Sequence, residues 1–253
     1  MARYDFRSPR IYVDQPLRLD ATVGLDRAQA HYLTTVLRLK PGDGVLAFNG
    51  RDGEWRTRLD NSAKRSANLV IDQQTRPQTV ASDLHYLFAP LKRARLDYMV
   101  QKAVELGASR LQPVSTRHTQ TERVNIGRMR ANAIEAAEQC GILNLPEVYD
   151  PLTLAHAVEG LHPSRLLVFC DEDAPTTDPV IALSAAGQEL AQRVPPALAV
   201  LIGPEGGFAD DERAMILRHS PSVRLALGPR ILRADTAAVA ALALVQTVLG
   251  DWR

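Results

Sequence analysis

The segment LIGPEGGFADDE, residues 201–212, carries three glycines, a proline and four carboxylates directly after an apolar run. Glycines between a strand and a helix let a ligand approach the backbone closely, as in phosphate-binding loops. This segment has no lysine to meet a phosphate, and Glu205 together with residues 210–212 would repel one. The residue types therefore favour a neutral or positively charged ligand, although such a turn is also compatible with a tight connection that binds nothing.

Two further segments have the same position after an apolar run. CDED, residues 170–173, includes Glu172, and LALGPRILRADTA, residues 225–237, places Arg230 and Arg233 beside a potential helix cap. In an open parallel α/β sheet, ligands bind beyond the carboxyl ends of the strands, so three such loops predict one shared pocket. For the two arginines, ion pairs with surface acids are the simpler alternative.

The elements that would position these loops alternate between apolar strands and longer helices from residue 84 onward, which predicts an α/β domain with a parallel sheet. The predicted strands lie within 83–90, 165–170, 197–202 and 223–228, and the predicted helices run from Leu96 to Gly107, from Ile126 to Gly141 and from Asp235 or Thr236 to Leu249. The last helix is apolar almost all round, so it must be buried on more than one side. Either it is internal or another subunit covers it.

The first 75 residues instead predict a small β-barrel with one helix. The strand candidates are 11–13, 44–50, 54–59 and 67–72, with a helix at 27–37 and a hairpin turn at 49–53. The polar segment 73–82 predicts a boundary between domains at 1–75 and 80–253. Residues 1–76 hold 13 Lys and Arg against 9 Asp and Glu, an excess that is compatible with binding a polyanion or with a solvated face.

Composition restricts the class of protein. The chain is 45% hydrophobic and 23% charged, which is typical of a globular protein, and it lacks an apolar run of the roughly 20 residues that span a bilayer. Its two cysteines are far apart and form no CxxC pair, so neither a disulfide framework nor a metal site is expected. We expect a cytoplasmic protein without a membrane segment.

LIGPEGGF followed by LALGPRILRADTA resembles the paired motifs of the RsmE family, the ribosomal RNA uridine-N3 methyltransferases of the SPOUT superfamily. The resemblance extends to HYLTTVLRLKPGD (31–43), LDYMVQKAVELG (96–107) and EAAEQCG (135–141). It implies a PUA-like RNA-binding barrel followed by an α/β SPOUT methyltransferase domain with a deep trefoil knot. It further implies S-adenosylmethionine (SAM) as cofactor, a homodimer, and methylation of N3 of a uridine in 16S ribosomal RNA within an assembled small-subunit particle.

The resemblance also implies roles for single residues. Those matched to cofactor binding are Leu201, Gly203, Pro204, Glu205, Gly206, Gly207, Leu227, Gly228, Ile231, Leu232 and Thr236. Arg10, Arg38 and Arg117 match arginines expected to contact RNA, and Lys102 and Glu105 fit the family's first long helix. The chain departs from the family pattern at Ile142 and Thr35, where arginine is common, and at Asp235, where glutamate is common.

For the chemistry, uracil N3 is about as weak an acid as a Tyr phenol, near 10, so its proton must leave and the resulting anion must be stabilised. We assign anion stabilisation to Arg233, with Arg10 or Arg117 supplied by the N-terminal region or a second subunit. Glu205 would accept the N3 proton or orient the base; the alternative is that it bonds only to its own loop. Two other functions stay open: a SAM-independent RNA-binding protein, and an enzyme that binds a nucleotide phosphate.

Overall fold

A computed structural model describes residue 5 and residues 7–60, 67–120, 123–171, 173–175, 178–189, 196–219 and 221–252. The chain forms two compact units, Met1–Val80 with Ala137–Leu145 and Ala81–Ala136 with Pro146–Arg253. The polar segment predicted a first domain of residues 1–75. The first unit of the structure also includes residues 137–145, which come later in the chain.

The first unit is built on a five-stranded sheet. Its elements are β1 (Arg10–Tyr12), β2 (Thr22–Gly24), helix α1 (Arg27–His31), a π-helical turn (Tyr32–Val36), β3 (Gly44–Phe48), β4 (Glu54–Asp60) and β5 (Asn68–Arg76). The strand order is β1-β3-β4-β5-β2, with β1 parallel to β3 and the other pairs antiparallel. Ile11, Val23, Val45, Leu59 and Leu69 contribute one side chain from each strand to a single core, so the sheet curls around it.

Two local expectations in the first unit need correction. Strand β5 continues to Arg76 and so takes in the start of the segment that we expected to be a linker. Its last residues are mostly exposed and polar, which hides the alternation typical of a half-buried strand. The predicted helix at 27–37 is α-helical only to His31, and after the π-helical turn Arg38 adopts a left-handed φ of 56°.

The second unit is an α/β sandwich around a parallel sheet. Its elements are β6 (Leu84–Phe88), α2 (Arg93–Glu105), β7 (Arg110–Ser115), α3 (Ile126–Cys140), β8 (Glu147–Val148), β9 (Leu152–Thr153), α4 (Leu154–Glu159), β10 (Leu166–Cys170), α5 (Pro179–Glu189), β11 (Leu198–Ile202), α6 (Asp210–Ile216), β12 (Ser222–Leu225) and α7 (Ala234–Val248). The order is β12-β10-β11-β6-β7-β8, with β9 paired to β7, and every pairing in the sheet is parallel. The predicted α/β class is confirmed.

The order of the strands in the sheet determines where the predicted ligand-binding loops lie. Strands β10 and β11 are central neighbours and β12 lies beside β10, so the segments that follow these three strands leave the sheet at adjacent positions along one edge. Gly107 and Gly141, the expected ends of two helices, adopt φ of 82° and 66°, the left-handed conformation of a C-terminal cap.

Strand β7 is one of the elements that periodicity missed, as are helices α4 and α5. It contains Gln112 and Pro113, and a proline inside a run argues against a central strand. Gln112 is nonetheless buried, because its side-chain amide donates to the carbonyl oxygen of Asp150 at 2.7 Å. Burial of a polar side chain is tolerated when it is hydrogen-bonded, and this pairing is invisible in the sequence.

Helix α7 has two apolar sides, as expected. One side is buried and includes Ala238, Ala241, Leu242 and Val245. The other is only partly covered within the chain, and it consists of Val239, Ala240, Ala243, Leu244 and Val248. In the part of the chain that the structure describes, no helix is long and apolar enough to cross a membrane.

Candidate functional site

The loops after β10, β11 and β12 enclose a cavity of about 500 Å³. Three separate stretches of chain supply its walls, as the sequence predicts for three strand ends that meet at one edge of a parallel sheet. The lining residues are Cys170, Asp171, Ile202, Gly203, Pro204, Glu205, Gly206, Gly207, Phe208, Leu225, Leu227, Gly228, Pro229, Arg230, Ile231, Leu232, Ala234 and Ala237.

Most of the residues matched to cofactor binding line this cavity, with two exceptions. Leu201 is fully buried in strand β11, where it packs in the core beneath the sheet edge. Thr236 is exposed in the first turn of α7. Neither is among the lining side chains. Phe208 and Ile202 line the cavity in addition, and nothing in the motif distinguishes them from ordinary core residues.

Glycine is required at two positions of the second loop. A Cβ on Gly203 would lie 2.9 Å from the ring of Phe208, and Gly207 has a φ of 68°. Phe208 in turn packs edge to face on Phe169, with ring centroids 6.0 Å apart. The loop therefore lies directly on an aromatic pair in the core, which fixes its height above the sheet.

A turn after β7 supports the same loop from the side. Nδ1 of His118 lies 3.0 Å from the carbonyl oxygen of Gly206 and 3.2 Å from that of Gly207. The backbone N–H of Arg117 donates to Glu212, and the Arg117 guanidinium pairs with Asp211 at 2.6 Å. Arg117, which we expected to contact RNA, thus holds the first turn of α6 in this structure. His118 was not expected from the sequence.

Among the residues that the structure describes, Glu205 has no hydrogen-bond partner in its own loop; it pairs with an arginine from another element. Its Oε1 lies 2.5 Å from Nη2 of Arg95 in the first turn of α2. Both side chains stay partly exposed, at 33% for Arg95 and 40% for Glu205. The sequence feature that could have indicated Arg95 is the basic run at residues 92–95, which lies outside the motifs that resemble the family.

The first loop is charged, and its Asp171 is paired with arginines of two other elements. The carboxylate of Asp171 is buried, and its two oxygens meet Arg213 at 3.3 Å and Arg224 at 2.8 Å. Burial, and then this neighbouring carboxylate, raises the pKa of the Cys170 thiol to about 12, so Cys170 lines the cavity as a neutral group. Glu172, the second acidic residue of this loop, lies outside the described residues.

The third loop brings Arg230, rather than Arg233, into the lining. Arg233 is exposed at the N-cap position of α7, and its side chain makes no capping hydrogen bond. Asp235, expected to cap the helix with Thr236, instead lies inside the first turn, where its charge complements the helix dipole. Ile231 is fully exposed although it is apolar, which suits a side chain that a ligand covers.

Arg10 is placed inside the first unit. Its Nε lies 2.7 Å from the buried carboxylate of Glu54, which Arg76 also meets at 2.7 Å, and its guanidinium donates to the carbonyl oxygens of Ala137 and Ile142. Burial raises the pKa of Glu54, but hydrogen bonds from the two arginines and a threonine outweigh it and lower the pKa below 4.5. The catalytic and RNA-contacting roles expected of Arg10 receive no support from these contacts.

The lining is not that of a polyphosphate site. Arg230 is the one cationic side chain among the lining residues that the structure describes, the carboxylates of Asp171 and Glu205 are both paired with arginines, and the glycine loops offer neutral backbone groups. Gly228 has a φ of 93° and would meet no atom within 4 Å with a Cβ added, so its loop leaves open space beside the backbone. A single lining arginine and two paired carboxylates are a poor set for a polyphosphate, whereas the open backbone is compatible with the SAM that the resemblance implies.

Comparison with known proteins gives a consistent result. An RNA methyltransferase domain model matches residues 78–246, and an RNA methyltransferase PUA domain model matches residues 25–72. The ribosomal RNA small subunit methyltransferase E of Synechocystis sp. is 34% identical over 95% of this chain and 78% of its own length. The protein of that name from Rickettsia conorii is 29% identical over 94% of each chain.

Solved structures agree over the full length. A ribosomal RNA small subunit methyltransferase E from Neisseria gonorrhoeae, bound to SAM, has a TM-score of 0.81 at 25% identity, covering 98% of this chain and 100% of that one. A Legionella pneumophila methyltransferase in complex with SAM has a TM-score of 0.80 at 27% identity, covering 95% and 98%. Since a family model covers most of the second unit and a relative at 34% identity spans nearly the whole chain, the protein belongs to the ribosomal RNA small subunit methyltransferase E family.

Proposed function

We propose that this protein transfers the methyl group of SAM to N3 of a uridine in 16S ribosomal RNA. The observation that carries the proposal is the cavity at the ends of β10, β11 and β12, with its glycine backbone and carboxylates. Relatives that share the whole fold are described with SAM bound or are named as methyltransferases of small-subunit ribosomal RNA. SAM supplies an electrophilic methyl group, so the protein must position the uracil and stabilise its developing negative charge.

The residues of the cavity mouth are suited to these tasks. Glu205 would accept the N3 proton, and the positive charge at the third loop would stabilise the uracil oxygens. Arg230 joins Arg233 as a candidate for that charge because it lines the cavity. N3 lies on the Watson–Crick edge, so the uridine must be unpaired or displaced from its stack before it can enter.

Recognition of the RNA would use the first unit, with Arg38 as one contact. Arg38 is exposed and holds a left-handed backbone conformation that an arginine adopts at a cost. A side chain other than glycine at such a strained position suggests a function for the side chain itself. We further propose that the substrate is the small-subunit particle in the cytoplasm, since only an assembled particle fixes which uridine is exposed.

The partly covered side of α7 supports a homodimer. Its apolar residues Val239, Ala243, Leu244 and Val248 lie on a helix with no polar face to turn to water. The deep trefoil knot belongs to the same proposal, and the likeness of fold to the SAM-bound relatives supports it. Sedimentation of the wild type and of Leu244→Glu tests the dimer, which the charged side chain should dissociate.

A calorimetric titration with SAM, followed by methyl transfer to small-subunit particles that lack the modification, tests the function. We expect SAM binding and a single N3-methyluridine detected by mass spectrometry. Binding of RNA without SAM would instead support an RNA-binding protein, and preference for a nucleotide di- or triphosphate would support a phosphate-binding enzyme. Glu205→Gln and Arg233→Ala should lower turnover with SAM affinity intact; unchanged turnover in both would refute the assigned roles.

A further inference from the structure

We propose that Arg95 and Glu205 act as one unit that recognises the Watson–Crick edge of the target uracil, with Arg95 as a substrate-contacting residue. This inference rests on the proposed function, because it assumes that a uracil enters the mouth of the cavity. It adds a specificity-determining residue from helix α2, an element that contributes nothing to the cavity lining itself.

The position of the pair is the first reason. Glu205 lines the cavity, and its Oε1 lies 2.5 Å from Nη2 of Arg95. Both side chains remain about one-third exposed or more. By contrast, the carboxylate of Asp171, which pairs with Arg224, is only 1% exposed. The exposed pair therefore presents its polar atoms to the solvent side of the cavity, where a base would arrive.

The pair also has hydrogen-bonding capacity left over. The contact uses Nη2 of Arg95 and Oε1 of Glu205. Within the ranges that the structure describes, neither the other guanidinium nitrogens of Arg95 nor Oε2 of Glu205 have a hydrogen-bond partner. A guanidinium carries five N–H donors in a planar fork, and a carboxylate only accepts. The Arg95 guanidinium and the Glu205 carboxylate thus offer a donor and an acceptor side by side to a ligand.

This arrangement matches uracil and not cytosine. Uracil presents the N3–H donor next to the O4 acceptor, so N3–H can donate to Glu205 while Arg95 donates to O4. Cytosine presents an acceptor at N3 and an amino donor at N4, which would set N3 against the carboxylate. Cytosine could pair only when shifted by one position, and its N3 would then face the guanidinium. Buried or half-buried polar groups left unpaired in this way are a strong source of discrimination.

The pair is also consistent with the balance of the reaction. The N3 proton passes to the Glu205 carboxylate, and the N3 electron pair forms the new bond to the methyl carbon. The bond from carbon to the sulfonium breaks with its electrons left on sulfur, so a cation and an anion give two neutral products. During this step Arg95 faces the oxygen on which the uracil anion places much of its charge.

The backbone segments that carry both side chains are held by packed structure, and the side chains are held by each other. Arg95 precedes Leu96 and lies in the first turn of α2, whose Met99 and Val100 are buried. Glu205 precedes Gly206, whose carbonyl oxygen lies 3.0 Å from His118. Preorganised donors and acceptors of this kind discriminate without a reorganisation cost at each binding event.

The test compares wild type with Arg95→Ala, Arg95→Lys and the control Arg93→Ala, which removes the same charge from an exposed position on the same helix. The substrates are particles with uridine at the modified position, identified first by mass spectrometry, and particles with cytidine there. Affinity for each particle is measured with S-adenosylhomocysteine present, and turnover with SAM. Thermal unfolding and SAM titration show whether each variant is folded with an intact cofactor site.

We expect wild type and Arg93→Ala to prefer the uridine particle in binding, and Arg95→Ala to lose about 10- to 100-fold of that preference, as for a hydrogen bond to a charged group. Arg95→Lys should recover part of it. Unchanged preference in Arg95→Ala, with wild-type turnover, would overturn the inference. Absence of N3-methyluridine in the wild-type reaction would instead overturn the proposed function, so the two failures are distinguishable.

Discussion

Substitution of Gly203 by alanine tests whether the glycine loop is fixed by the aromatic core beneath it. The backbone of Gly203 is in a conformation that alanine also adopts, so the substitution adds no backbone strain to the folded state. That carbon would lie 2.9 Å from Cε2 and 3.0 Å from Cζ of Phe208. Phe208 cannot move freely, because its ring packs on Phe169 and is 9% exposed.

The magnitude follows from overpacking. Insertion of a carbon into a packed site costs about 1–3 kcal/mol of folding free energy. A glycine-to-alanine change also stabilises by about 0.4–1 kcal/mol through the unfolded chain. Gly44→Ala measures this second effect alone, because a Cβ on Gly44 meets no atom within 4 Å. The difference between the two variants should therefore equal the steric cost, about 1–3 kcal/mol.

Calorimetric unfolding and SAM titration provide the readouts. For a chain of this length, each kcal/mol shifts Tm by about 2–4 °C. Because Phe208 is a wall of the cavity, its displacement should also weaken SAM binding by about tenfold, corresponding to roughly 1.4 kcal/mol. Phe208→Leu combined with Gly203→Ala should recover part of both losses, because the clashing ring atoms are gone. Equal stability of Gly203→Ala and Gly44→Ala, or strict additivity in the double variant, would refute the steric argument.

Three further predictions concern supporting residues. Arg38→Gly should stabilise the protein by about 1 kcal/mol, because the left-handed φ of 56° is strained for arginine, and should weaken RNA binding in a filter assay; lower stability would contradict this. His118→Ala should weaken SAM binding by about 3- to 10-fold in calorimetry, since it removes a hydrogen bond to the glycine loop, while Asn125→Ala, outside the cavity lining, should not. The pKa of Glu54 is lowered from 4.5, so its contribution to stability is present above that value and disappears as the pH falls through the folded-state pKa. Glu54→Gln should therefore cost about 3 kcal/mol of folding free energy at neutral pH and reduce the fall of Tm with decreasing pH. If the fall of Tm in acid were unchanged in this variant, other groups would be responsible for it.

Much of the second unit was predictable because its strands obey a simple rule. Strands β6, β10 and β11 are parallel and covered on both faces, so they are short continuous apolar runs. The loops that line the cavity then follow these apolar runs, at the carboxyl ends of the strands. This is why the three cavity loops could be located before the fold was known. Strands β5 and β7 break the rule by carrying exposed or buried polar residues, and sequence periodicity misjudged both.

The partners of charged side chains could not be predicted. Arg10, Arg117 and Arg233 are alike as residue types, and each matched a family arginine. In the structure, Arg10 is buried against Glu54. Arg117 pairs with Asp211, and Arg233 is exposed beside the cavity. Their partners are 44 and 94 positions away along the chain for the first two. Sequence spacing carries no information on such pairs, and only the register of strands and loops brings them together.

Two different elements support the glycine loop at the cavity mouth. The turn after β7 reaches the loop through backbone carbonyls, so His118 acts on the shape of the cofactor site. Helix α2 contacts the loop through the Glu205 carboxylate, so we expect Arg95 to act on the group that we propose faces the base. His118→Ala should therefore change SAM affinity with little effect on the choice between uridine and cytidine, and Arg95→Ala should do the reverse. If both variants changed both properties in proportion, the loop would respond as one body, and cofactor binding and base selection could not be assigned to different elements.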